Sequence, residues 1–162
     1  LGGACSPLLY GRVVPRDVPV PATDGRRSAF RLQRTKDTQP ELLLRKALHR
    51  RGLRFRLHRR LLPDVRRSAD IVFPSRRIVV DVRGCFWHGC PQHSRQGTHN
   101  ANWWAEKIVG NVSRDLDTVD RLSAAGWRVI VVWEHDDPEV AADLVERAVR
   151  AARPGPADGG TR

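Results

Sequence analysis

What this chain of 162 residues lacks narrows its function first. No apolar run approaches the roughly 20 residues of a membrane span. Three cysteines are an odd count, and two of them share one short stretch, so a disulfide framework is not expected. The amino end, "LGGACSPLLYGRVV", has neither a basic leader nor a long apolar segment; no signal peptide is expected and the cytoplasm is the default location. There is no internal repeat. Acidic residues are in deficit: 18 Asp and Glu against 29 Lys and Arg leave a formal charge of +11. That balance favours a polyanionic partner, with nucleic acid ahead of a membrane surface. The hydrophobic content of 40% suffices for one domain with its own core.

What is present falls into three parts. Residues 1–37 are rich in Pro, Gly, Arg and Asp without periodicity, and are expected to form a mobile basic arm. Residues 154–162 have the composition of a disordered tail. Between them, residues 38–153 read as the folded domain. "TQPE" at 38–41 is a helix start, with Thr38 as N-cap, Pro40 in the first turn and Glu41 completing a capping box. Leu44, Ala47 and Leu48 make its apolar stripe, and Gly52 ends it. "LRFRL" at 53–57 alternates like a half-buried strand. "ADIVF" and "RIVVDV" read as a hairpin of core strands joined at Pro74 and Ser75. Val112, Leu116, Val119 and Leu122 mark a second helix, stopped by Gly126, before the apolar strand "WRVIVVW". A last helix opens at Pro138 and carries Val140, Leu144, Val145 and Ala148. Helix, three strands, helix, strand, helix predicts an α/β sheet flanked by helices.

Two features of this domain invite chemistry. Asp70 and Asp81 are carboxylates inside apolar strands, where an acid destabilises unless paired, hydrogen-bonded or metal-bound. Asp81 and Arg83 share a strand face, so a structural ion pair is one reading. The other puts both carboxylates on a hard cation such as Mg²⁺, which prefers oxygen ligands. The second feature is "GCFWHGCPQH" at 84–93, which packs thiols and imidazoles around a Phe-Trp pair.

Asp70, a hairpin and then "DVR" resemble the PD-(D/E)XK nuclease signature, with Ala69 in place of the usual Pro and Arg83 in place of the Lys. "GCFWHGCPQH" followed by "NWWAEKIVGNVSRD" and "GWRVIVVWEH" is similar to the very-short-patch-repair mismatch endonucleases, from about Thr38 to His135. The W-x-x-K-I-x-x-N spacing, the "RD" pair and "GW-V-VWE" come in that family's order. The resemblance implies a restriction-endonuclease-like fold, a central mixed sheet flanked by helices with a structural zinc. It implies Mg²⁺-dependent hydrolysis of DNA 5′ to the thymine of a T:G mismatch.

The resemblance also distributes roles. Asp70 and Asp81, with the backbone carbonyl of Val82, would hold Mg²⁺; Glu41 would join them unless it serves only as a cap. Val82 stands where some members carry a threonine, and Asp81 supplies an acid that some lack. Arg83 cannot act as a base, since guanidinium stays protonated, but could contact the scissile phosphate. His88 falls at the family's catalytic histidine. Cys85, Cys90, His93 and His135 would ligate Zn²⁺, a sound tetrahedral set. Phe86, Trp87 and Trp104 would wedge into the base stack beside the mismatch; apolar wedges unstack and kink duplexes. A core role is the better reading for Trp127 and Trp133. Lys107, Asn111 and Arg114 share a helical face and would touch phosphates or a groove, although a solvated face would look the same. The expected partner is double-stranded DNA, with mismatch-repair proteins as candidate partners, no membrane, and a monomeric state. The rivals are a related nuclease restricting modified or foreign DNA and a non-catalytic zinc-bearing DNA-binding module.

Overall fold

The structure is a computed structural model that describes residues 36–93 and 100–153. The expected tail, and the expected arm except Lys36 and Asp37, lie outside the described residues. The element order is α1 (Gln39–Arg50), β1 (Arg56–Arg59), β2 (Ala69–Phe73), a 3₁₀ turn (Pro74–Arg76), β3 (Ile78–Arg83), α2 (Ala101–Ala124), β4 (Arg128–Trp133) and α3 (Pro138–Ala151). This is the predicted order. The strands form one mixed sheet, β1-β2-β3-β4. The β1–β2 and β2–β3 pairs are antiparallel, and β4 runs parallel to β3 after the α2 crossover. Among the described residues, no helix is long and apolar enough to cross a membrane.

Alternation along the strands sends side chains to two different layers. Ile71, Phe73, Ile78, Val80, Ile130 and Val132 pack against α1 and α3, burying Leu44, Leu48, Ala142 and Val145. Val72 and Val79 face the other way, onto Leu122 of α2 and Trp127. Trp127 is therefore core, as predicted, with Arg77 stacked 5.2 Å over its ring.

Several boundaries and faces differ from the pattern in the sequence. The first strand begins at Arg56 rather than Leu53; Leu53 and Phe55 instead pack beside the core as the chain leaves α1. Thr38 stands at the N-cap position of α1, but its side chain accepts no helix N–H, so the expected capping box does not form. The Thr38 hydroxyl donates to Glu41 Oε1 (3.0 Å), and Glu41 Oε2 accepts the N–H of Asp37 (3.2 Å) instead of that of Thr38. The hairpin turns through the 3₁₀ segment, closed by Arg77 at φ 53°. On α3 the buried face is Ala141, Ala142, Val145, Ala148 and Val149, while Val140 is 65% exposed and Leu144 47%. Small alanines let α3 lie close to α1, which turns the bulkier Val140 and Leu144 outward. Leu116 is 58% exposed although it continues the stripe of α2. A 24-residue helix is ~36 Å long, about twice a six-residue strand, so only its end at Leu122 covers the sheet.

Leu48→Ala should therefore destabilise by about 2–5 kcal/mol in urea unfolding, since it opens a cavity in the layer under α1. Leu116→Ala should change stability by less than about 0.5 kcal/mol. Equal losses would mean that α2 packs along its whole length.

Candidate active site and metal centre

The β2–β3 ladder ends at Ile71 opposite Val80, so the next row holds Asp70 and Asp81. There the Val82 N–H donates to the Asp70 carboxylate, Oδ2 at 2.9 Å. Burial pushes the Asp70 carboxyl up from 3.8 to about 6; the Val82 hydrogen bond opposes this, and the nearby Asp81 and Glu41 carboxylates reinforce it. Among the described residues no basic side chain is ion-paired with Asp70. Asp81 is different: Arg83 Nε donates to its Oδ2 at 2.8 Å, the ion pair that spacing allowed. Asp81 also faces the cleft between Val79, Thr118 and Val129. Arg83 keeps one buried terminal nitrogen, Nη2, without a partner.

Beyond β3 the parallel ladder with β4 continues one bond, Glu134 N–H to Arg83 O (2.9 Å). Glu134 Oε1 then accepts the N–H of Cys85 (2.7 Å), fastening the loop to the strand end. The loop closes on itself through His88 N–H to Gly84 O and Cys90 N–H to Cys85 O. Gly89 sits at φ +60°, and a Cβ there would lie 3.1 Å from Val112 Cγ2, so the turn presses against α2.

This geometry gathers the four candidate zinc ligands. The ligand atoms of Cys85, Cys90, His93 and His135 all lie within 4.8 Å of one another. Cys85 Sγ is 3.0 Å from His135 Nδ1; Cys90 Sγ is 3.8 Å from the same atom and 3.9 Å from His93 Nδ1. Tetrahedral zinc would space its nitrogen and sulfur ligands about 3.3–3.8 Å apart, so small shifts suffice. Burial and the facing Cys90 thiol push the Cys85 thiol well above its usual range, so a nearby cation would be needed for that sulfur to exist as a thiolate.

On the outer side of the loop His88 Nδ1 is 2.6 Å from Asp115 Oδ2. An ionised carboxylate only accepts, so a proton sits on Nδ1, and in the neutral form of the ring Nε2 would be the acceptor. The sequence reading gave Asp115 no role, although it is the second residue of the "RD" pair; a partner 27 residues away on another element has no local signature. Phe86, Trp87 and Trp104 meet edge to face, with centroids 5.1–5.7 Å apart, and all three are half-buried. Trp103 packs against Trp104 on its other side, with Lys107 over its ring at 5.3 Å. Asn111 donates to the Trp87 carbonyl (2.8 Å), and Arg114 bonds to Asn111 and to Gly110 O. Asn111 and Arg114 thus have partners within the protein. Trp133 is half-buried and stacks on His135, beside the candidate zinc ligands, rather than filling the core.

Comparison with known proteins joins this geometry to a family. The family model described as DNA mismatch endonuclease Vsr matches residues 17–94. The type II nicking enzyme V.NaeI of Lentzea aerocolonigenes is 42% identical over 129 residues, 78% of each chain. V.XorIIP of Xanthomonas oryzae pv. oryzae, likewise named a type II nicking enzyme, is 44% identical over 118 residues, 72% of this chain and 85% of that one. The DNA mismatch endonuclease Vsr of Escherichia coli is 39% identical over 102 residues, covering 62% and 63% respectively. The chain belongs to the Vsr endonuclease family.

The raised Asp70 carboxyl has a measurable consequence. Between about pH 4 and 6 the native state binds a proton that the unfolded chain has lost, so stability falls as pH rises through that window. In EDTA, Asp70→Asn should be more stable than wild type at pH 7.5, by up to about 3 kcal/mol, and equal to it near pH 4. A variant less stable at both pH values would show that Asp70 is held by stronger partners than the Val82 N–H.

Proposed function

We propose that the protein is a Mg²⁺-dependent DNA endonuclease that hydrolyses one phosphodiester 5′ to the thymine of a T:G mismatch. The observation that most supports this is the half-buried Asp70 carboxylate, with Asp81 and Glu41 close enough to raise its pKa and no basic side chain paired to it among the described residues. Converging carboxylates of that kind favour a hard divalent cation. Asp70, the second oxygen of Asp81 and the Val82 carbonyl are the groups that would hold Mg²⁺. When bound, Mg²⁺ supplies charge neutralisation at the phosphate and acidifies the attacking water.

The chain's own residues do the rest. His88 Nε2 accepts the proton of the attacking water, and Asp115 fixes the tautomer and stabilises the imidazolium that forms. The water oxygen bonds to phosphorus while the bond to the leaving sugar oxygen breaks, and that oxygen takes up a proton. Arg83, ion-paired with Asp81 through Nε, would hold that carboxylate in place; its free Nη2 is buried, so contact with a phosphate oxygen would need the side chain to swing outward. Lys107, with its ammonium over Trp103, and the helix face of Asn111 and Arg114 would follow the DNA backbone. Phe86, Trp87 and Trp104 form the wedge: a wobble pair costs less to unstack than a matched pair. Structural zinc on Cys85, Cys90, His93 and His135 completes the reading, holding that wedge rigidly at the end of β3. The names of two relatives, nicking enzymes both, support a single-strand cut.

Incubation with T:G, fully matched and methylated duplexes tests this reading; nicking of only the T:G strand is expected. Cutting of the methylated duplex alone would assign the chain to restriction of modified DNA, and no cutting with retained binding to a non-catalytic module. Trp87→Ala should weaken T:G binding by ~1–3 kcal/mol, the scale of base–aromatic stacking, and compress the mismatched-to-matched affinity ratio at fixed salt. An equal loss on both duplexes would make Trp87 a packing residue.

Zinc should copurify at about one atom per chain, as a single four-ligand site requires. Cys90→Ser should lower both the metal content and the thermal midpoint. Metal-free protein with an unchanged midpoint would remove zinc from the account.

A further inference from the structure

Among the described residues two charged side chains are fully buried, Glu41 at 3% and Arg45 at 7% exposure. They pair one turn apart on α1, Arg45 Nη2 to Glu41 Oε2 at 2.6 Å. Its bonds to Thr38 and the Asp37 N–H at the helix start account for Glu41 but not for Arg45. An exposed i,i+4 pair would support the helix without desolvation, whereas a buried pair is seldom better than apolar residues of the same size. Arg45 also leaves its Nε buried without a partner. Nothing in the stability of α1 requires this arrangement.

The surroundings of Arg45 are equally unusual. Its other terminal nitrogen binds Asp37 Oδ1, and Nη2 lies 3.3 Å from His58 Nε2, itself 3.4 Å from Asp37. Asp37 and His58 both adopt positive φ, 54° and 49°, a region uncommon for non-glycine residues. His58 does so inside β1. The register pairs Leu57 with Ile71 and Arg59 with Ala69, which sets His58 across from Asp70. The kink turns its imidazole to Arg45, and both Glu41 and His58 influence the ionisation of Asp70. Donor atoms of Asp37, Glu41 and His58 lie within 4.8 Å of one another. A metal ion there would meet a guanidinium that already contacts all three, so the cluster is built around Arg45 instead.

We propose that Arg45 is a positioning residue of the nuclease centre: locked by Asp37 and His58, it holds the Glu41 carboxylate in one orientation on the Asp70 side of α1. Oε2 of Glu41 is taken by Arg45 and the Asp37 N–H, and among the described residues Oε1 accepts the Thr38 hydroxyl alone, so Oε1 keeps acceptor capacity for the centre. The inference rests on the nuclease reading above and extends it to residues outside the metal-holding strands.

The test is single-turnover nicking of a T:G duplex across a Mg²⁺ titration by wild type, Arg45→Met, Arg45→Lys, Glu41→Gln and the Arg45→Met/Glu41→Gln double variant. Duplex affinity is measured in EDTA and folding by circular dichroism. Arg45→Met should lose ~10–100-fold in rate, the scale of a misplaced reacting group. It should need more Mg²⁺ for half-maximal rate, and should bind duplex within about twofold of wild type. Arg45→Lys should recover part of the rate. The double variant should be no more than about threefold slower than Glu41→Gln, because the two residues act as a unit. Multiplying losses, a full-rate Arg45→Met, or a loss equal to its unfolded fraction would overturn the proposal. Should Arg45→Met not fold, Asp37→Asn, at an exposed partner, is expected to give a smaller loss with the same Mg²⁺ shift, and its absence would equally overturn the proposal. A wild type that nicks no duplex would overturn the nuclease reading as well, whereas a nicking wild type with a normal Arg45→Met overturns this inference alone.

Discussion

The architecture turns on one unfavourable placement, the carboxylate of Asp70 at the point where the β2–β3 ladder opens. A single backbone donor, Val82 N–H, is its hydrogen-bond partner there, while the charges of Asp81 and Glu41 press against it. Such a group is stabilised by a cation, and the sheet supplies none at that point. The apolar layers on both faces of β2 and β3 sustain the cost: Ile71, Val72, Val79 and Val80 are all essentially inaccessible to solvent. Stability earned in the core is thus spent where the chemistry would be.

Around this point the sheet arranges three further groups by simple topology. The parallel pairing of β3 with β4 sends both strands out at the same edge, so Cys85 and Cys90 from one meet His135 from the other. The loop that carries the cysteines presents Phe86 and Trp87 to Trp104 of α2 and lays His88 against Asp115. α1 contributes from the opposite layer, with Glu41 and Arg45 at its start. The Cys–His cluster, the aromatic surface and the His88–Asp115 pair are therefore three consequences of one strand end. The half of α2 that overhangs the sheet is free of core duty, which suits a helix whose first turns carry aromatic and polar surface.

The order of elements was legible because it depends on local signals: the helix start at Thr38, the β-branched runs, and glycines at φ +74° and +79° ending α1 and α2. The crowding of Cys85, Phe86, Trp87, Cys90 and His93 into residues 84–93 was legible for the same reason, whereas that His135 and Trp104 join them needed the fold. Faces and partners were not. Apolar periodicity alone cannot tell that the alanines of α3, rather than Val140 and Leu144, meet the core, because close helix approach favours small residues. The kink at His58 hid the start of β1, and nothing in "LRFRL" signals it. Glu41 and Arg45 stand four apart, a visible pair, but spacing gives no burial. Asp115 needed the fold, since its partner lies on a loop 27 residues away.

The central claim is that the Asp70 carboxylate takes part in holding a divalent cation, and thermal unfolding against Mg²⁺ concentration at pH 7.5 tests it most directly. A saturable rise in the midpoint of the wild-type protein, absent from Asp70→Asn, is predicted, because an ion bound only by the native state stabilises it by mass action. The same rise in both proteins, or none in either, would contradict the claim.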